Sequence, residues 1–395
     1  MIGLVGGAHM VSHFSQLLLA PLFPWLKDDF HASYAELGLL ISIFFVVSCA
    51  VQMASGFVVD KFGPRPILFA GLALLGLAAF GFSISTSYAM LAAFSVLAGM
   101  GNGVFHPVDY TLLNRKISAP RLGHAYSVHG ITGSLGWALA PAMLVPLTLA
   151  FGWRTALACA GSLAFAVLAV LWVYRDRLAL PVLPAGKPGQ ANALQMEGGS
   201  LGFLRIPAVW MCFGFFFFYA MALSVVQAFA PEAARQLHNV PLDLVALCLS
   251  VYMLCSAGGM VLGGFLAVDP TRCERVIGVG FGIAAGIALM LGFASVPGWS
   301  VPVLFGLMGF ASGTGGPSRD LIVKRAAPAN ATGRVYGVVY SGLDIGQAIS
   351  PLLFGTLMDH QQFAGVFVGL ALVQGVLIAS AFNVRKVRRT VLVAA

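Results

Sequence analysis

Stretches of about 20 consecutive apolar residues, long enough to cross the hydrocarbon core of a bilayer as a helix, recur along this chain from end to end. They fall near 4–25, 34–58, 66–84, 88–112, 122–147 and 153–174. After a polar interruption six more fall near 206–230, 240–267, 276–294, 299–321, 333–357 and 363–384. Several connecting loops are too short to hold a soluble domain, and no stretch sustains the period-two alternation of an outer-membrane barrel strand. Only 9% of the 395 residues are charged, against roughly 25% in soluble domains, too few to cover a water-facing surface. A soluble enzyme, a secreted disulfide scaffold, a disordered regulator and a coiled coil are thereby excluded. The expected fold is an all-α integral membrane protein with twelve transmembrane helices. The first apolar stretch is a full span with no small-residue cleavage motif after it, so no cleavable signal peptide is expected.

An even number of spans puts both termini on one side, and the cations say which. Nineteen of the 22 Lys and Arg, from Lys61 and Arg65 to Arg388 and Arg389, fall on one side. Only Lys27, Arg154 and Arg235 are left on the other. The positive-inside bias then predicts cytoplasmic termini in a bacterial inner membrane. The net charge of +8 is accounted for by anionic lipid headgroups, so no nucleic-acid partner is expected. The six cysteines form no CxxC pair and read as small packing residues.

The longest polar interruption, 175–205, is rich in Pro, Gly, Gln and Asn and reads as a cytoplasmic linker. It separates a first six-helix bundle, 1–174, from a second, 206–395. An offset of 210 aligns the two: Pro21, Pro107 and Pro141 map onto Pro231, Pro317 and Pro351, and Gly99, Gly103 and Gly136 onto Gly309, Gly313 and Gly346. Two pseudo-symmetric six-helix bundles made by internal duplication are the sequence mark of one class of secondary transporters. The spaced glycines Gly259, Gly263, Gly278, Gly282 and Gly286 predict close helix packing. No GxxxxGK[ST] sequence is present, so ATP is not expected to drive the protein.

Between the second and third spans the chain reads GFVVDKFGPRP. Gly56, Asp60, Lys61, Gly63 and Arg65 resemble the loop signature of the major facilitator superfamily, with Pro64 where a basic residue is common. The counterpart GFLAVDPTRCER from Gly264 is degenerate: Asp269 and Arg275 persist without the tight glycine turn. The fifth span, GITGSLGWALAP, is similar to the glycine- and proline-rich helix of the superfamily's antiporters. GNGVFHP from Gly101 and SHFSQLLLAPLFPWLK from Ser12 resemble the bacterial fosmidomycin-resistance type of exporter. The resemblance implies that the halves rock about a central cavity and that Asp60 latches them on the cytoplasmic side against the eleventh helix. The competing reading makes Lys61 and Arg65 topology determinants alone.

Ionisable groups inside spans are costly, so each needs a reason. His9 and His13 are spaced i, i+4 on the first span, with Gln16 next on the same face, and His106 and Asp109 are spaced i, i+3 on the fourth. His129 lies about 10 Å into the fifth span and Asp344 about 15 Å into the eleventh, near the midplane. By resemblance the first, fourth, seventh and tenth spans line the cavity, which places His13, Gln16, His106, Asp109, Gln227 and Arg319 around it. On this reading His and Asp carry protons, histidine titrating near neutral pH, while the glutamines, Asn102, Tyr110 and Arg319 hold solute. For His9 the alternative is snorkelling to the interface. For Asp109, Arg319 and Asp320 it is ion pairing at helix ends. The stretch SVLAGMGNG from Ser95 lacks the arginine that drug exporters of the superfamily often carry there, so His106 with Asp109 is the expected substitute for arginine-centred proton coupling.

The expected function is a proton-coupled secondary transporter, an antiporter moving a small organic solute by alternating access. It is expected to be an exporter and a monomer, with lipid, solute and protons as partners and with no cofactor, resident metal or enzymatic activity. The runner-up is a metal-ion or metal-chelate transporter, prompted by His9, His13 and 14 methionines, although no third acidic or thiolate ligand is spaced along the chain to join the two histidines. A membrane-embedded metalloenzyme is the remote alternative, since it needs several histidine clusters where one i, i+4 spacing is present.

Overall fold

A computed structural model of the chain describes residues 1–180, 207–266, 272–319 and 332–393. The side chains at 56, 57, 60, 114, 119–124, 126, 127, 208, 332–338 and 383–393 lie outside the described residues, as do Asp269, Asp320 and the linker from 181 onward. Among the described residues all regular structure is helical. The first half comprises α1 (Ile2–Gln16), α2 (Phe23–Phe30), α3 (Tyr34–Phe62), α4 (Pro64–Ser83), α5 (Tyr88–Asn102), α6 (Phe105–Lys116), α7 (Ala119–Phe151) and α8 (Trp153–Val173). The second comprises α9 (Pro207–Ala228), α10 (Ala230–His238), α11 (Leu242–Leu266), α12 (Cys273–Phe293), α13 (Val301–Thr314), α14 (Thr332–Asp359) and α15 (Phe363–Val393). The first span is α1 with α2, the fourth is α5 with α6, and α10 prolongs the seventh. Among the described residues ten spans are long and apolar enough to cross a bilayer, and α13 and α14 complete the twelve-helix arrangement. Side chains such as Phe265 and Phe293 face outward, about three-quarters exposed, as suits a bundle wrapped in lipid.

Local chemistry sets the boundaries. Ser33 and Glu36 form a capping box that starts α3: the Ser33 hydroxyl accepts from the Glu36 N–H at 3.1 Å while the Glu36 carboxylate accepts from the Ser33 N–H at 2.8 Å. The turn into α4 needs Gly63, whose φ of +79° favours a residue without a Cβ, and Pro64 opens the next helix with its fixed φ. The expected latch can be followed only this far. Lys61 is exposed with its ammonium 5.2 Å from the Phe62 ring, Arg65 is half-buried, and the side chains of Gly56 and Asp60 lie outside the described residues.

The fourth span was expected to be continuous over 88–112, but it breaks at Gly103–Val104. Pro107 has no N–H to give the carbonyl of Gly103, four residues before it. Ser55 on α3 offers a donor in its place, its hydroxyl shared between that carbonyl at 3.3 Å and the Gln52 carbonyl of its own helix at 3.0 Å. A side-chain donor in place of a backbone one is how a membrane helix tolerates such a break.

Helix pairing repeats between the halves. α1 packs on α7, α4 on α8 and α3 on α5, and correspondingly α9 packs on α14, α12 on α15 and α11 on α13. The halves meet along two seams, α3 against α14 and α7 against α11. The first seam carries polar contacts along much of its length. Asp359 accepts from the N–H groups of Tyr34 and Ala35, Ser42 donates to the Ala348 carbonyl, and Gln52 Nε2 donates to Asp344 Oδ2 at 3.2 Å. On the second, Ser250 donates to the Ala138 carbonyl at 3.0 Å.

The three cations on the cation-poor end are each engaged: Arg154 with Asp29 at 3.2 Å, Arg235 with Glu232 at 2.7 Å, and Lys27 over the Tyr34 ring at 4.3 Å. The glycine expectation holds for part of the set. Gly259 and Gly263 lie against the backbone of α13 and Gly278 against Phe382, whereas Gly282 and Gly286 have no neighbour within 4 Å where a side chain would stand.

Candidate functional site

The break in the fourth span turns α6 so that His106 and Asp109 face α1 and α7. There they meet His9, His13 and His129. Asp109 is fully buried, and its Oδ2 lies 3.1 Å from both His9 Nδ1 and His129 Nε2. His9 is 2% exposed and does not snorkel to the interface. Its ring stacks on His129 with centroids 3.5 Å apart. Among the described residues Asp109 forms no pair with a helix-end cation; its partners are imidazoles from two other helices.

Gly133 on α7 makes room for this crowding. A Cβ at that position would stand 2.8 Å from His13 Nδ1 and 3.1 Å from His9 Nε2, so the two rings occupy the space a side chain would fill. Tyr110 closes the far side, 5.4 Å from His129 and 6.3 Å from His106 between ring centroids.

A second polar set lies one turn further along α1. Trp137 lies tilted against His13 with ring centroids 4.3 Å apart and donates its indole N–H to Gln16 Oε1 at 2.9 Å. Gln16 Nε2 donates to Asn102 Oδ1 at 3.3 Å, and Ser12 donates to the same oxygen at 2.8 Å. Asn102 Nδ2 donates in turn to Ser48 at 2.8 Å. Trp137 also lines a small cavity of about 20 Å³ between the halves, facing Tyr219, Tyr252, Phe281, Ser312 and Gln374 of the second.

Seven of the expected residues, His13, Gln16, Asn102, His106, Asp109, Tyr110 and His129, thus gather in the first half. Asp344 is reached from them through Gln52. His106 Nδ1 lies 3.0 Å from Gln52 Oε1, and the amide of the same Gln52 donates to Asp344. Gln227 and Arg319 stand apart from this cluster. Gln227 accepts from Gln347 at 3.4 Å, and the Arg319 guanidinium sits 4.6 Å from the Tyr219 ring and 5.3 Å from that of Phe216. Sequence reasoning passed over Gln52, Ser12, Ser48 and Trp137, and left His9 undecided. A polar residue at each end of one amide has no signature in a single sequence, but a lone glutamine within an apolar span is a signal.

The duplication is visible inside the site. The offset of 210 carries His9 and Asp109 onto Tyr219 and Arg319, and both pairs are in contact. Within one residue it carries Gln16 and Trp137 onto Gln227 and Gln347, and both of those pairs are hydrogen-bonded.

Comparison with known proteins agrees with this architecture. Residues 5–351 match the family model of the Major Facilitator Superfamily. The chain is 24% identical over 387 residues to the fosmidomycin resistance protein of Escherichia coli strain K12, covering 93% of this chain and 88% of that one. It is 21% identical over 313 residues to the probable sulfoacetate transporter SauU of Cupriavidus necator, covering 77% and 72%. The fold is similar to that of a bacterial homologue of the human lysosomal transporter Spinster, crystallised in an inward-facing, occupied conformation, with a TM-score of 0.79 at 13% identity over 98% of this chain and 96% of that one. From its twelve helices, its repeated half-by-half pairing and a family match spanning nearly its whole length, the chain belongs to the Major Facilitator Superfamily, whose members move small solutes across membranes.

Proposed function

We propose that the protein is a proton-coupled secondary transporter that exports a small organic solute across a bacterial inner membrane by alternating access. It works as a monomer with both termini in the cytoplasm, the halves 1–174 and 206–395 moving as units joined by the linker 175–205. The observation that carries this reading is the hydrogen-bonded bridge from His106 through Gln52 to Asp344. It ties a carboxylate of the second half, deep in the membrane, to the polar cluster of the first. A buried carboxylate is expensive when ionised unless partners hold it. Rocking the halves apart removes the Gln52 amide from Asp344 and so makes taking up a proton more favourable. Restoring the contact favours releasing it.

Solute enters between the halves beside Trp137, whose indole engages Gln16 and through it Asn102. Gln227 and Arg319, which do not line the small cavity at Trp137, join the site from the second half as the halves move. Solute and proton then each shift the balance between inward and outward forms by their differential affinity. The outward direction is supported by likeness to a resistance protein. Asp60, Lys61 and Arg65 act as the cytoplasmic latch that opens as the cation-poor end closes. The deciding experiment is solute-driven proton movement in proteoliposomes over a broad panel of organic solutes. A response lost in Asp344→Asn is expected; an unchanged response in that variant overturns the assignment of Asp344, and no response to any solute overturns proton coupling.

A further inference from the structure

We propose that His9, His13 and His106 form a binding site for a divalent first-row transition-metal ion such as Zn²⁺ or Co²⁺. Along the sequence no third ligand is spaced to join His9 and His13, but the fold supplies one from α6. One nitrogen of each of the three imidazoles lies within 4.8 Å of the other two. The ring centroids are 4.3 Å apart for His9 and His13, 5.5 Å for His9 and His106, and 6.3 Å for His13 and His106. Three imidazoles with a fourth position left to water or solute are a well-suited ligand set for zinc. Imidazole without thiolate suits Zn²⁺, Co²⁺ and Ni²⁺ and disfavours Cu⁺.

Two further observations point the same way. Both ring nitrogens of His13 are buried without a well-formed hydrogen bond among the described residues, the ring lying between Trp137 and the Gly133 backbone, an expensive arrangement for a polar ring. The other two rings are held from behind as metal-bound histidines are. His9 has Nδ1 against the Asp109 carboxylate, and His106 has Nδ1 against the Gln52 carbonyl oxygen, which leaves Nε2 of each to act as donor to an ion. A divalent ion behind His9 also offsets the charge of Asp109, whose Oδ1 is buried without a partner. His129 lies near the same carboxylate, but its Nε2 already bonds Asp109 Oδ2, so the three-histidine set is the better ligand group.

The ligands come from α1 and α6 of one half, so the ion travels with that half and is resident, not cargo. The site shares His106 and Gln52 with the bridge to Asp344, but Asp344 itself, to which proton coupling is assigned, is not a ligand. The test is equilibrium titration of the purified full chain in detergent with Co²⁺, read by its visible d–d absorption and by displacement with Zn²⁺. One saturable equivalent is expected, with affinity reduced at least about tenfold in His13→Ala and His106→Ala. Gln52→Leu, which removes only the group behind His106, is expected to weaken binding about 10- to 100-fold without removing a ligand. The exposed-histidine control His31→Gln/His360→Gln is expected to leave binding unchanged. Absence of saturable absorption in the native chain, loss of it in the control, or full retention in both His13→Ala and Gln52→Leu overturns the site. Asp344→Asn should leave Co²⁺ binding intact, so failure of the metal site and failure of the coupling reading give different results.

Discussion

Asp359, the last residue of α14, accepts hydrogen bonds from the backbone N–H of Tyr34 at 2.6 Å and of Ala35 at 2.9 Å. Its carboxylate therefore sits on the positive N-terminal end of α3, in the other half of the protein. The Tyr34 hydroxyl lies 3.4 Å from Glu232, and Glu232 is held by Arg235 and Gln236, so the seventh span joins the same knot. This group closes the seam at the cation-poor end. Asp359→Asn keeps the shape and removes the charge. It is expected to weaken closure by about 1–2 kcal/mol, roughly a tenfold shift of the conformational balance. Faster labelling of cysteines placed beside Tyr34, with unchanged thermal stability of each half, is the measurement that checks it.

Gln52 is expected to transmit motion from the cluster to the second half. Gln52→Leu leaves Asp344 without its amide partner, at a cost of about 1–3 kcal/mol for a buried acceptor. Proton movement per solute transported should fall while solute binding, read by thermal shift, is largely retained. Equal loss of binding and coupling would instead make Gln52 a solute ligand.

Ser55 and Pro107 should be energetically coupled. In the native chain Ser55→Ala strands the Gly103 carbonyl, costing about 1–3 kcal/mol. With Pro107→Ala in place, residue 107 regains an N–H and can serve that carbonyl itself, so Ser55→Ala should then cost little. A double-mutant cycle in unfolding midpoints measures the difference. Additive effects would show that the carbonyl is satisfied in some other way.

Gly133→Val tests the packing of the imidazoles. Its side chain must displace His13 or His9, and overpacking of this kind costs about 1–3 kcal/mol. Solute affinity and Co²⁺ affinity should both fall, whereas Gly130→Ala, with no neighbour within 4 Å at that position, should change neither. Binding isotherms of the two variants decide it.

The spans were legible because apolar length is a property of one segment at a time, and the duplication because glycine and proline leave marks at a fixed offset. The break at Gly103 was overlooked, although Pro107 announces it, because the apolar stretch runs through without interruption. Asp109 illustrates the other limit. Its i, i+3 spacing from His106 was visible, but its actual partners, His9 and His129, are 100 and 20 residues away and meet only when α1, α6 and α7 pack. His9 was undecided for the same reason: depth in a membrane does not say what stands beside a side chain. Gln52 carries no motif, and its importance lies wholly in what occupies its two ends.

The paired contacts His9–Asp109 and Tyr219–Arg319 occupy equivalent places in the two repeats. One copy has kept an acid among bases whose protonation can change. The other has become a permanent cation resting on aromatic faces. Gene duplication has thus preserved one contact geometry twice while giving the two copies opposite polarity, so the pseudo-twofold axis relates shapes and not charges.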